Sequence, residues 1–180
     1  MSTQQSTSFN SVELGLFSSR VAAICEEMGA LLGRVAFSPN IRDRLDYSCA
    51  LFNRRGQLLG QATHIPVHLG SMAHAMVDLV ESRAWRAGDM LILNDPYRGG
   101  THLPDITLVA PVFYSGSLVG FCANRAHHAD IGSDAPGSMP VSRALEEEGV
   151  LIPPTLLMRG GEVDEGFLQS LLQRLTSPDT

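Results

Sequence analysis

The sequence carries no run of basic residues, no apolar stretch of membrane-spanning length and no paired-cysteine framework. Each absence removes a class of protein. With a net charge of −6 over 180 residues, the chain has no electrostatic footprint for a nucleic acid. The three cysteines, Cys25, Cys49 and Cys122, are scattered, odd in number and set in apolar stretches, so they read as buried free thiols in a reducing compartment. Residues 1–10 are polar and rich in Ser and Gln, without the basic start and apolar core of a signal peptide. With no membrane span either, the expected location is the cytoplasm. Neither a Walker pattern nor G-x-G-x-x-G occurs, so no loop is built to cradle phosphates. Internal repeats are absent. What remains is a chain of ordinary hydrophobic content, 44%, sized for one domain or a large subdomain.

Hydrophobic spacing divides this chain into helices and hairpins. Residues 1–10 are expected to be disordered. Phe17, Val21, Ile24, Met28, Leu31 and Val35 repeat at intervals of four and three, which predicts a helix over 11–35 with Ser11 as its N-cap. Pro39 closes that pattern, and 38–46 is polar. Residues 47–53 and 57–63 read as a hairpin around Arg54-Arg55-Gly56. A loop with His64 and His68 follows. A second helix is predicted over 71–83, with Met72, Met76, Leu79 and Val80 as its apolar face and Ser71 as its cap. Residues 90–93 form a short buried strand. Residues 106–114 and 118–126 form a hairpin about Ser115-Gly116-Ser117, apolar on both faces, so each face needs a cover. Residues 131–140 are a Gly/Pro/Ser loop, 141–148 a short acidic helix, and 162–175 a closing helix after the block of Pro153-Pro154. The sum is an α+β domain, a largely antiparallel sheet with covering helices.

Two polar segments stand at the ends of apolar runs: Asn94 to Asp105, and Asn124 to Asp130. Each mixes His, Asp, Arg and Asn with Gly or Ala, which suits a site at the rim of a sheet. In a hairpin centred on Gly116, Tyr114 faces Leu118 and Asp105 faces His127. Directly opposed residues have Cβ atoms roughly 4.5–5.5 Å apart. Asp105 and His127 can therefore share one metal ion, with His102 from the entering loop as a third ligand. A plain His–Asp hydrogen bond is the simpler alternative. Pro111 adds a second: lacking an N–H, it marks an edge strand or a bulge, and a one-residue bulge would put His128 in the place of His127.

The residues also resemble a family. SPNIRDRLDYSCALF (38–52), HIPVHLGSM (64–72), LNDPYRGGTHLPD (93–105), NRAHHADIG (124–132) and PGSMP (136–140) are similar, in order, to segments of the hydantoinase B/oxoprolinase family. The resemblance runs over nearly the whole chain. Members of that family are usually much longer, so it implies that 11–180 is the N-terminal part of such a domain, belonging to a larger subunit. It also implies a two-component, ATP-dependent reaction on a small cyclic amide. An ATP-binding hydantoinase A-type partner would activate the substrate, and this chain would supply a metal site within a hetero-oligomer. A ketone carboxylase subunit is the second branch it allows. A fragment without activity of its own is a third reading.

Carried onto this sequence, the family's metal motif gives His102, Asp105 and His127, holding a divalent transition metal: Mn first, Zn or Fe as alternatives. The candidate catalytic groups are Asp95, His128 and Asp130. Asp95 either hydrogen-bonds a substrate or ligand, or merely turns the chain before Pro96. His128 is also the alternative metal ligand. Arg98 and Arg125 either fork an anionic substrate group or pair with Asp95 and Asp130. Gly99-Gly100 allows a tight bend or the close approach of a ligand. His64 and His68 read as loop caps, Asp43 and Asp46 as partners of Arg42 and Arg44, and His74 as an outward residue.

Overall fold

The computed structural model describes residues 10–63, 68, 70–133 and 141–176. The expected disorder of the N-terminus, His64 and the motif at 136–140 therefore lie outside the described residues, except for Asn10. Asn10 is itself the cap of helix α1 (Ser11–Val35), one residue earlier than Ser11. Its side chain accepts from Glu13 N–H at 2.9 Å, and its own N–H donates to the Glu13 carboxylate at 3.0 Å. A short helix α2 (Pro39–Arg42) follows, with proline in its first turn.

Strands β1 (Tyr47–Asn53) and β2 (Leu58–Thr63) form the first hairpin. Helix α3 (Ser71–Glu81) comes next, and its N-cap position is Gly70, at φ 81°, rather than Ser71. Strand β3 (Met90–Leu93) leads into one 3-10 turn, Pro96–Arg98. Then come β4 (Asp105–Tyr114) and β5 (Ser117–His127). The end of the chain differs from the single helix predicted. Thr155–Arg159 (β6) and Glu162–Val163 (β7) make a small hairpin turned at Gly160-Gly161, and helix α4 spans only Glu165–Leu172. The expected acidic helix is a single 3-10 turn, Leu145–Glu148.

The seven strands of the described residues form one sheet in the order β2-β1-β5-β4-β3-β6-β7, every neighbour antiparallel. The alternation of strand side chains sorts the core between its two faces. Ala50, Phe52, Leu91, Leu93, Val109, Phe121 and Ala123 point to one face, where α3 covers them with Met72, Met76, Leu79 and Val80. On the other face α1 lies over β1 and β2, while α4 and the segment around Ile131, Val150 and Ile152 cover Ile92 and Leu108. Both faces of the β4–β5 hairpin are thus covered, by different helices. Pro111 lies on an inner strand but at a stretch of it left unpaired on the β3 side, next to the bulge at Val112/Phe113. It sits past Val109, the last residue of β4 that β3 pairs, so the missing N–H meets no strand on that side.

Helix α1 packs differently from its expected stripe. Its buried residues are Val21, Cys25 and Gly29, whereas Phe17, Ile24, Leu31 and Val35 stay exposed. The cause is the close approach of helix and sheet. A Cβ on Gly60 of β2 would stand 2.5 Å from Val21 Cγ1, and one on Gly33 would stand 2.9 Å from Tyr47 Oη. Cys25 Sγ reaches Gly60 O at 3.4 Å. Small residues face small residues along this seam, and the bulky stripe has no room to enter it.

That leaves Phe17 at 48% and Leu31 at 55% exposure, in line with Ile24 and Val35 along one helix. Contiguous apolar surface of this kind drives association. The chain is expected to self-associate in size-exclusion chromatography with light scattering. The double variant Phe17→Glu/Leu31→Glu should shift it toward monomer, with stability changed by about 0.5 kcal/mol or less per site.

Candidate metal centre

The register of β4 and β5 creates the site. Asp105, the first residue of β4, stands opposite His127, the last residue of β5. The route to that register is not the one expected. The turn has two residues, Ser115 (φ 47°) and Gly116 (φ 76°), both left-handed as the tightest hairpin turns require. Tyr114 therefore pairs with Ser117, not Leu118. A bulge then skips Val119, so that Val112 pairs with Gly120. The turn is one residue shorter than predicted and the bulge adds one back. From Val112 to Asp105 the pairing is the one predicted.

His102 enters from the loop just before β4, where Asp105 N–H donates to His102 O at 3.0 Å. The three side chains converge. His127 Nδ1 is 3.1 Å from Asp105 Oδ1 and 3.1 Å from His102 Nε2, and His102 Nδ1 is 3.2 Å from Asp105 Oδ2. One ligand atom from each of His102, Asp105 and His127 lies within 4.8 Å of the others. Asp46, at the entry to β1, closes the group. His127 N–H donates to Asp46 O at 2.9 Å, and Asp46 Oδ2 is 3.9 Å from His127 Nδ1. Asp46 thus faces the histidine rather than Arg44, while Asp43 does pair with Arg42 at 2.8 Å.

Two observations are compatible with a cation held among these residues. A single ring nitrogen, His127 Nδ1, meets both an acceptor-only carboxylate oxygen and a second ring nitrogen, which leaves the hydrogen-bond roles in conflict. Asp46 Oδ1 is buried and has no hydrogen-bond partner among the described residues. A positive ion among them resolves both. Ligands bonded at about 2.1 Å and at right angles stand about 3 Å apart, near the spacing found. Two imidazoles with carboxylates suit Mn, Fe or Zn.

Electrostatics prepare the donors. Burial pushes the Asp105 carboxyl up, but hydrogen bonds from His127, His68 and Thr101 and the charge of His102 outweigh it and hold it well below the usual carboxylate range. Burial lowers His102, against the pull of Asp105, which keeps its lone pair free. Asp105 itself is fully buried; the His102 side chain, at 23% exposure, forms the open rim.

The remaining candidates lie elsewhere. Asp95 Oδ1 accepts from Tyr97 N–H at 2.9 Å, so it caps the 3-10 turn. Arg98 is largely exposed, 3.9 Å from Asp95. Arg125 is wholly buried, and three of its five N–H donors go to Thr107 Oγ1 at 2.8 Å, Ser71 Oγ at 2.7 Å and Gly99 O at 2.5 Å. It cannot reach a substrate and instead ties α3 to the loop before β4. Asp130 Oδ1 accepts from Gly132 N–H at 2.8 Å. His128 falls on the opposite face, in the wall of a cavity of about 260 Å³ beside Ile106, Leu108 and the end of α1. The Gly99-Gly100 bend serves close backbone approach within the protein: a Cβ on Gly100 would lie 2.2 Å from Asn94 O. His68 is no loop cap. It is fully buried and contacts Asp105. His74 is outward, as expected, and lines a separate cavity with Arg83 and Arg98.

The fold and the site together define an antiparallel α+β protein with a His/Asp/His group at its strand ends. The chain belongs to the hydantoinase B/oxoprolinase family, whose pattern it matches over residues 10–180. It is 44% identical over 174 residues to 5-oxoprolinase 1 of Arabidopsis thaliana, covering 94% of this chain and 14% of that one. It is 37% identical over 131 residues to the B component of a putative D-/L-hydantoinase from a Pseudomonas strain, covering 68% and 22%. The crystal structure of an ATP-dependent caprolactamase from Pseudomonas jessenii superposes with a TM-score of 0.81 at 29% identity, over 93% of this chain and 30% of that chain. The chain thus spans about a third or less of the length of the relatives it matches. Among the described residues no helix is long and apolar enough to cross a membrane.

Two outcomes test this geometry. Metal analysis should find one divalent transition metal per chain, lost in both His102→Ala and His127→Ala. Separately, burial and the charge of His127 lower His128 from 6.5 to about 4, against Asp105. The unfolded chain then takes up a proton that the folded chain refuses between those values. Stability should fall as pH drops from about 6.5 toward 4, by roughly 3 kcal/mol from this group. Urea midpoints at pH 7 and pH 4.5 should show that fall shrink in His128→Asn.

Proposed function

We propose that this chain is the metal-binding portion of the B-type component of an ATP-dependent cyclic-amide hydrolase, of the hydantoinase/5-oxoprolinase type, working with an ATP-binding A-type subunit in a hetero-oligomer. The observation that carries this reading is the convergence of His102, Asp105 and His127 from the ends of β4 and β5, with Asp46 beside them. Relatives named 5-oxoprolinase, D-/L-hydantoinase and caprolactamase support it, because each name describes a ring closed by an amide. A bound divalent metal would supply a water of lowered pKa and a Lewis acid for a carbonyl oxygen. The chain's own residues do the rest. His102, Asp105 and His127 fix the ion at the rim of the sheet, with Mn the first choice. Asp105 faces inward and stays charged, while His102 and Asp46 border the open side. Arg98 is the cation left exposed on the motif loop, available to an anionic substrate group. Asp95, Arg125, His128 and Asp130 have no step in this reading.

ATP falls to the partner because this sequence holds no phosphate loop. Co-expression with a candidate A-type subunit tests the division of labour. Ring opening of 5-oxoproline, a hydantoin or caprolactam should need both chains, ATP and metal, and His102→Ala or His127→Ala should reduce it to background. The chain alone should hydrolyse no ATP. An ATPase activity in the chain alone, lost on mutation of its own residues, would overturn the assignment.

A further inference from the structure

His68 touches the metal centre without belonging to its ligand group. Its side chain is fully buried, with Nε2 3.2 Å from Asp105 Oδ2 and Nδ1 3.0 Å from Ser48 Oγ. The two oxygens of Asp105 have different neighbours. Oδ1 faces His127 Nδ1, while Oδ2 receives the Thr101 hydroxyl and His68 and also stands 3.2 Å from His102 Nδ1. An ionised carboxylate only accepts, so His68 Nε2 must carry the hydrogen. In the neutral ring Nδ1 then holds the lone pair and accepts from the Ser48 hydroxyl. The ring is fixed in one tautomer from both ends.

We propose that His68 is a positioning residue for the metal centre: Ser48 sets its tautomer, its Nε2–H holds Asp105 Oδ2, and Asp105 Oδ1 is thereby turned toward the ion. The inference rests on the metal centre proposed above. It differs from a structural filling role in what it requires. A group that only filled the space beneath Asp105 would need no donor, whereas this role needs an N–H at the position of Nε2. Held by two donors, the carboxylate cannot rotate to exchange its oxygens, and its ligating atom is in place before the ion arrives. Groups that orient metal ligands in this way typically contribute 10–100-fold in metal affinity.

Cobalt(II) alone is a suitable probe, because its visible spectrum reports ligand geometry as well as occupancy. The full chain would be titrated as wild type, His68→Ala, His68→Gln, Ser48→Ala and His102→Ala. His68→Ala should bind cobalt about 10–100-fold more weakly, with an altered spectrum. Glutamine places an amide N–H₂ where Nε2–H was, so His68→Gln should bind within about threefold of wild type. Ser48→Ala releases the tautomer and should weaken binding several-fold. Metal-free melting of the alanine and glutamine variants should coincide. The proposal is overturned if His68→Ala binds within about twofold of wild type, or if His68→Gln binds as weakly as His68→Ala at equal stability. If His68→Ala does not fold, the glutamine and Ser48 variants decide by the same measures. Cobalt binding undiminished in His102→Ala would instead remove the metal centre itself.

Discussion

A charged group with no access to water is the most demanding element in this chain, and that group is Asp105. A buried carboxylate without donors would take up a proton. Asp105 is spared by its neighbours: the Thr101 hydroxyl, His68 beneath it and His127 across the strand pair. These come from four parts of the sequence, counting Asp105's own strand. The strand ends, the loop before β4 and the segment after β2 must all be placed before the carboxylate is tolerable. Folding and the assembly of the site are therefore one event.

Much of this was legible in the sequence because the key contact is local. Asp105 and His127 belong to adjacent strands of one hairpin, and strand alternation with a turn signal suffices to bring them face to face. The prediction survived because two departures have opposite sign: the turn is one residue shorter than expected, and the bulge weighed as an alternative restores the register of His127 rather than replacing it by His128. The bulge is where the sheet absorbs the tight left-handed turn at Ser115-Gly116, so these departures are physically linked rather than accidental. Helices α1 and α3 were legible for the same reason, since their periodicity is local; the acidic segment and the closing helix, with weaker patterns, were not.

What escaped was nonlocal or depended on small residues. Asp46 reaches the site only because β1 pairs with β5, across a sequence gap that no periodicity spans. His68 lies under the sheet rather than at its rim, and nothing in its spacing says so. The packing of α1 was misjudged because periodicity weighs bulk, while the seam was chosen by Gly33 and Gly60, where bulk is excluded. Arg125 carried the signature of an anion-binding residue, yet its three partners are neutral oxygens of the protein. A guanidinium in a polar motif can be a strut as readily as a hand.

The burial of Arg125 has a consequence for charge balance. Among the described residues its guanidinium is bonded to neutral acceptors, and the charge of Asp105 supports its protonated form against burial. A divalent cation bound at the strand ends would draw on that same negative charge. One carboxylate shared between a fixed internal cation and a dication leaves the interior with an excess of positive charge. Asp46, whose outer oxygen has no partner among the described residues, supplies the missing negative charge from the next strand. In this reading the centre takes two carboxyl groups because the fold has already claimed part of one, and the strut that secures the scaffold helps determine how anionic the cradle above it must be.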